Sequence, residues 1–161
     1  MKNFWMQIQR MHAWFVKTVS YGQAPLLLAV RLYWGWQFAQ NGWAKLHNLP
    51  RVTDFFTSLG LPLPAQTAAF VSSVEFVGGI LLIVGLLSRI TALALTIDML
   101  MAYITADRAA LFSIIADPGK FYTADPYTFL FASLLVLIFG PGMISLDTLL
   151  NRQRSFRRAT Y

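Results

Sequence analysis

Three ionisable residues, Arg31, Glu75 and Asp98, sit inside long apolar runs where an unpaired charge is costly. Glu75 lies near the middle of the stretch from Ala65 to Leu87, AQTAAFVSSVEFVGGILLIVGLL. Around twenty apolar residues at ~1.5 Å rise span the hydrocarbon core of a bilayer, so this stretch reads as a transmembrane helix. An acidic residue at the centre of such a helix costs roughly 2.5 to 3.5 kcal/mol, so Glu75 must face other helices or a wet cavity, paired or protonated. A carboxyl held this way can take up and release a proton, or bind a polar ligand that brings its own hydrogen bonds. Gly78, Gly79 and Gly85 give the same helix a smooth groove where another backbone can approach closely.

The chain that must position these groups has 161 residues, 57% hydrophobic and only 12% charged, outside the range of soluble domains. It contains no cysteine, which excludes disulfides, thiolate metal sites, Fe–S clusters and a thiol relay within this subunit. No covalent cofactor and no metal site are expected, and any redox role must use a bound organic cofactor or a partner. No phosphate loop or nucleophile–base pair points to a nucleotide site or a hydrolase.

The pattern predicts an all-α integral membrane four-helix bundle preceded by an N-terminal amphipathic interfacial helix. Residues 1–22 form the amphipathic segment, with Trp5, Ile8, Met11, Phe15 and Val19 at spacings of three and four and Lys2, Arg10 and Lys17 elsewhere. The bundle occupies residues 23–147 and a basic tail residues 148–161. Spans are predicted from Gln23 or Pro25 to about Lys45, from Ala65 to Leu87, from Ile90 to about Ala106 and from Tyr127 to about Gly142. In the first connection Phe55, Phe56 and Leu59 suit the membrane interface, and the run from Gly60 to Pro64 stops any helix.

Four spans put both termini on one side. The termini and the hairpin at Arg89 hold eight lysines and arginines, against Lys45, Arg51, Arg108 and Lys120 on the other side, which favours cytoplasmic termini in a multi-pass cell membrane protein. The net charge of +6 then reflects topology and contact with anionic lipid in preference to nucleic acid.

At ~1.5 Å per residue, Arg31 lies roughly 10 Å in from the cytoplasmic side, Asp98 roughly 13 Å and Glu75 roughly 16 to 18 Å. A long arginine stem covers that offset, so Arg31 is expected to cluster with Glu75 and Asp98, aided by Gln37 or Asn41. Two acids and one base leave one carboxyl expected to hold a proton. The competing structural reading is that the cluster only fixes helix register. Lys45 is expected to snorkel to the outer interface, although Asp98 could be drawn outward to meet it. Trp34 and Trp36, near Arg31, are packing and anchoring residues that could also wall a flat apolar ligand. His12 and His47 fall near opposite faces, too far apart to share a haem.

A combined pattern runs through the chain. It reads Arg31, Gly35, Phe38, Gly42, Lys45-Leu46, then Leu59-Gly60-Leu61-Pro62, then Glu75, Gly78-Gly79, Gly85-Leu86, Arg89 and Ala92, then Met99 and Ala102. It resembles the DoxX family of small four-helix bacterial and archaeal membrane proteins, over roughly Leu26 to Ala102. The resemblance implies the fold, an inner-membrane location, and kinship with proteins named after a subunit of an archaeal thiosulfate:quinone oxidoreductase. It carries Arg31, Lys45, Glu75, Gly78, Gly79 and Arg89 as motif positions, with Asp98 an addition.

The expected function is accordingly a membrane subunit of an oxidoreductase system. Glu75, Arg31 and Asp98 would be the reacting or proton-handling groups, and Trp34, Gln37, Asn41, Lys45, Gly78 and Gly79 would line a quinone-like ligand. Soluble or membrane redox proteins and a second copy of the chain are the expected partners, besides the bilayer. A small proton-coupled transporter and a non-catalytic scaffold recruiting soluble redox proteins through the basic tail with Arg152, Arg154, Arg157 and Arg158 and through the first amphipathic segment are the competing expectations.

Overall fold

The computed structural model describes residues 2–151, with side chains from Trp5 onward. The arginines expected in the basic tail lie outside the described residues. Within them the chain is all helix and irregular connection, with no strand. The helices are α1 (Lys2–Tyr21), α2 (Gln23–His47), α3 (Leu49–Ser58), α4 (Pro64–Val84), α5 (Ser88–Thr105), α6 (Arg108–Phe112), α7 (Pro118–Thr123) and α8 (Pro126–Phe139). A final helical turn covers 146–151.

Proline at the first helical turn, where its missing N–H costs nothing, opens α3, α4, α7 and α8. Glycine closes α4: Gly85 adopts φ +74°, and the N–H groups of Gly85 and Leu86 both donate to the Leu81 carbonyl. The turn to α5 then needs only Gly85, Leu86 and Leu87, so α4 and α5 form the tight hairpin expected from the sequence.

α2 packs along α4, α4 against α5, α5 along α8, and α8 back against α2. The α2–α4 seam is made of small residues. A Cβ on Gly79 would come within 3.0 Å of the Ala39 Cα and closer still to the Ala39 nitrogen. Gly42 likewise sits against the backbone of Ser72 and Phe76, and Gly35 against Gly79 and Ile83. These glycines serve contacts inside the chain, so the groove expected on α4 is filled by α2. On its other side Gly78 lies under Leu95 of α5. The core shared by α2, α4, α5 and α8 includes Val30, Phe38, Leu82, Leu95, Met99, Tyr103, Leu130 and Val136. A buried hydrogen bond from Thr96 to Ser133, 3.0 Å, ties α5 to α8.

Among the described residues two helices have the length and hydropathy to cross a membrane: α4, with mean hydropathy 2.0, and α5, with 1.2. Only 33% and 39% of their apolar windows are buried inside the protein. Phe70, Ile90 and Ile97 instead face outward, as lipid-facing side chains would. α2 has the length, at 25 residues, and not the hydropathy. α8 has the hydropathy but spans 14 residues, shorter than the fourth span expected to reach Gly142, because Gly140 at φ +79° ends it. The first connection holds α3, which packs against α4 and ends ahead of the Gly60–Pro64 run expected to stop any helix.

Gly79→Val should separate α2 from α4 by forcing a branched side chain onto the Ala39 backbone. Overpacking of this kind costs ~1–3 kcal/mol or more, so the melting temperature in detergent should fall clearly, whereas Ala94→Val on the exposed side of α5 should leave it unchanged.

Candidate functional site

The buried charges separate into two centres at opposite ends of the α2–α4 seam. The register explains why. With Gly35 on Gly79 and Gly42 on Ser72 and Phe76, the antiparallel pair sets Arg31 against Gly85 and sets the region of Asn41 beside Glu75. Arg31 and Glu75 are thus about ten residues, or ~15 Å, apart along the seam. The expected cluster of Arg31 with Glu75 and Asp98 does not form.

Arg31 is 2% exposed and spends its donors on backbone carbonyls. Its Nε donates to Leu82 at 2.9 Å, its Nη2 to Ile83 at 3.2 Å, and its Nη1 to Ile144 at 2.9 Å and to Pro141. Leu82 and Ile83 lie in the last turn of α4, whose carbonyls have no partner within the helix and carry the negative end of its dipole. The guanidinium therefore caps α4 and holds the loop after α8 in one step. Asp147 completes this end. Its two carboxylate oxygens accept from the N–H groups of Leu87 and Ser88, each at 2.8 Å, capping the start of α5 from 59 and 60 residues away. Its own N–H donates to the Gly85 carbonyl at 3.0 Å.

At the other end Lys45 donates from Nζ to Glu75 Oε1 at 2.6 Å. Lys45 was expected to reach outward, but the same register turns its stem back along α4. The Glu75 side chain is 3% exposed and that of Lys45 37%, so the ammonium stands between the buried acid and the surface. Asp98 of α5 faces the same region. Glu75 Oε2 and Asp98 Oδ2 are both buried without a hydrogen-bond partner.

Lys45, Glu75 and Asp98 are among the residues that line a cavity of about 710 Å³ between α2, α3, α4, α5 and α8. Phe38, Phe55, Phe56, Tyr122 and Phe129 supply aromatic wall. Phe38 meets Phe129 edge to face with centroids 4.8 Å apart. Phe55, Phe56 and Leu59, expected at the membrane interface, cover the cavity as the inner side of α3. The segment around α7 closes another side and is fixed by a 2.8 Å hydrogen bond from the Tyr103 hydroxyl to the Phe121 carbonyl.

Of the nine residues proposed from sequence, Asn41, Lys45, Glu75 and Asp98 line this cavity. Gln37 instead reaches the Tyr33 hydroxyl at 3.5 Å, and Trp34 packs against the core with Tyr33 at its edge. Neither Trp34 nor Trp36 lines the cavity, and Gly78 and Gly79 are packing positions. Among the described residues no group of acids and histidines is arranged to hold a metal ion. Asp147 was missed as a structural residue. Its signal was Leu87, which stands where α5 needs a cap and has no side chain able to supply one.

An all-helical chain whose most apolar helices turn their side chains outward, with charges held on the inside, is a membrane protein. The chain belongs to the DoxX family, whose profile matches residues 26–108. It is 30% identical to an uncharacterized membrane protein of Mycobacterium tuberculosis, over 80% of this chain and 83% of that one. It is 28% identical to CatD of Bacillus subtilis, over 74% of this chain and 83% of that one, a protein whose name assigns it provisionally to the oxidoreductases. An uncharacterized protein of Haemophilus influenzae is 29% identical over 84% of this chain and 90% of its own. No solved structure matches the chain.

Burial raises the Asp147 carboxyl, but the backbone N–H groups of Ser88 and Leu87 and the nearby Arg31 charge outweigh it and hold the group below its ordinary value of 3.8. A carboxyl lowered in the folded state stabilises the fold above its unfolded value, and that contribution is lost as pH falls through the folded one. Melting curves recorded from pH 7 down to about pH 3 should therefore fall more steeply for the wild type than for Asp147→Asn, which starts from a lower melting temperature at pH 7.

Proposed function

We propose that this DoxX-family protein is a membrane subunit of an oxidoreductase system and that it binds a quinone-like ring in the cavity beside Lys45, Glu75 and Asp98. The observation that carries this reading is that Lys45, Glu75 and Asp98, two acids each with a buried oxygen that no donor meets, line an aromatic-walled space of about 710 Å³. Small-molecule pockets commonly measure ~300–1,000 Å³ and combine apolar walls with a few convergent polar groups. The provisional naming of CatD as an oxidoreductase points the same way.

A bound quinone supplies a two-electron couple that takes up one proton with each electron. Lys45 keeps two of its three ammonium protons free of Glu75 and can direct one to a ring oxygen. Glu75 and Asp98 can hold and pass the protons, each being within reach of the cavity. Aromatic side chains from α2, α3 and α8 would supply apolar contact to such a ring. The chain has no cysteine, so the electrons come from a soluble or membrane redox partner. In the bilayer α2 and α8 join α4 and α5 as spanning helices of a multi-pass bundle, with both termini in the cytoplasm. Arg31 then belongs to the scaffold at the cytoplasmic end, and the cavity opens toward the other face.

Protein purified gently from its own membrane and examined by native mass spectrometry should retain a quinone, which Glu75→Gln should release without unfolding the protein. Turnover of the intact complex should fall ~10²-fold or more in the same variant, in keeping with loss of an acid–base group. Absence of any quinone, together with a pH-dependent flux through proteoliposomes that Glu75→Gln abolishes, would replace this reading with a proton-coupled transporter.

A further inference from the structure

We infer that the recess beside Arg89, at the Arg31 end of the molecule, binds the phosphate of an anionic phospholipid headgroup. The recess lies at the opposite end of the α2–α4 seam from the Glu75 cavity, and its occupant does not depend on what that cavity holds.

Arg89 is the second residue of α5, and its guanidinium lies over Gly140, where an added Cβ would stand 3.4 Å from Nε. Unlike Arg31, it has few partners. Its hydrogen bond from Nη2 to the Ile138 carbonyl is 3.4 Å long, and the ion pairs among the described residues are Lys45 with Glu75 and Lys120 with Asp117. A guanidinium presents its donors as a fork that suits two phosphate oxygens, and most of that fork is uncommitted.

On one side Arg89 faces a recess of about 330 Å³, at the low end of the ~300–1,000 Å³ usual for small-ligand pockets. The start of α2, the end of α8 and the loop after it form its walls, and among the described residues no carboxylate lines it. Its other polar side chains are Ser20, Gln23 and Thr148. The hydroxyls of Ser20 and Thr148 donate to the Val16 and Gly142 carbonyls, which leaves the amide of Gln23, exposed at the first residue of α2, to join Arg89. On its other side Arg89 faces Ser88, Thr148, Asn151 and one acid, Asp147, both of whose oxygens already accept from the N–H groups of Leu87 and Ser88. The first recess is therefore cationic. It offers no acid to the ammonium of a zwitterionic headgroup, whereas an anionic headgroup needs none.

Depth decides between a lipid and a soluble phosphate ester. α5 has the length and hydropathy of a spanning helix, and Arg89 stands one residue inside its end, where the apolar core gives way to headgroups. Ile90, Ile138, Phe139 and Met143 are exposed at the same end, as side chains touching acyl chains would be. Charge of the same sign continues along α1, which reaches the recess at Ser20 and carries Arg10 and Lys17 and no acid.

The test is native mass spectrometry of the full chain in detergent, titrated with dioleoyl phosphatidylglycerol and with dioleoyl phosphatidylcholine. The wild type should bind one phosphatidylglycerol at least ~10-fold more tightly than phosphatidylcholine, the worth of a charge-assisted hydrogen-bonded contact. Arg89→Gln should bring that ratio close to one, whereas Arg51→Gln, which removes the same charge from α3, should leave it unchanged. Gln23→Ala changes an exposed side chain, supplies a folded variant if Arg89→Gln fails, and should lower the ratio ~3-fold. Glycerol phosphate in excess, the same ester without acyl chains, should not displace the lipid.

Equal affinities for the two lipids in the wild type, or a preference that persists in every folded variant of the recess, would overturn the inference. An equal loss in Arg51→Gln would overturn it too, by reducing the effect to general charge. Displacement by glycerol phosphate would make the recess a site for a soluble phosphate ester and remove the lipid assignment.

Discussion

A charge inside an apolar helical core must find every partner it needs within the protein, because no water follows it there and an unmet group costs several kcal/mol. The two ends of the α2–α4 seam meet this demand differently. At Arg31 every guanidinium nitrogen finds a partner among four carbonyls, two at the open end of α4 and two in the loop after α8, with Asp147 beside them. At Glu75 it is met by half: Lys45 takes one oxygen, and the other, like an oxygen of Asp98, is buried without a partner in a residue that lines a cavity. A complete set of bonds fixes a shape. An incomplete one beside a cavity leaves bonding capacity for something else.

The same small residues produce both outcomes. Gly35, Ala39, Gly42 and Gly79 let α2 and α4 touch backbone to backbone, which leaves no freedom in their register. That register delivers Arg31 to the α4–α5 turn and Lys45 to the middle of α4. α8 is short and ends at Gly140, so its chain turns back to give Arg31 the Pro141 and Ile144 carbonyls and to bring Asp147 under the start of α5. Where α2 runs on past the seam, α3 folds over α4 and the connection through α7 folds over α5 and α8. Between them remains the cavity.

The long helices α1, α2, α4, α5 and α8 were legible because periodicity, hydropathy, proline starts and glycine stops mark them directly, whereas the shorter α3, α6 and α7 lie in stretches read as connections. The partners of the charges were not, because depth along a helix was estimated from each span's own start. That estimate brought Arg31 within reach of Glu75. The glycines that fix the register were visible as a packing surface, yet nothing in one sequence says which helix fills it or at what offset. Lys45 illustrates the consequence: four residues beyond Asn41 at the end of a helix it reads as an interface lysine, until the seam turns it toward Glu75. Phe55, Phe56 and Leu59 were legible as apolar, but that they line a cavity was not, because the fold of α3 over α4 is set by contacts between distant segments. Asp147 caps a helix 60 residues away, a relation that no local pattern encodes.

The most direct test of the account is where a ligand binds. A photoreactive benzoquinone analogue, irradiated with the protein in nanodiscs and mapped by peptide mass spectrometry, should label the segments that line the cavity, 55–59, 98–107 and 122–129. Competition by the unmodified quinone should remove that label. Labelling concentrated around 82–90 and 139–148, at the Arg31 end, would contradict the account, because it would put the ligand where the charge is already satisfied and leave the Glu75 cavity without a role.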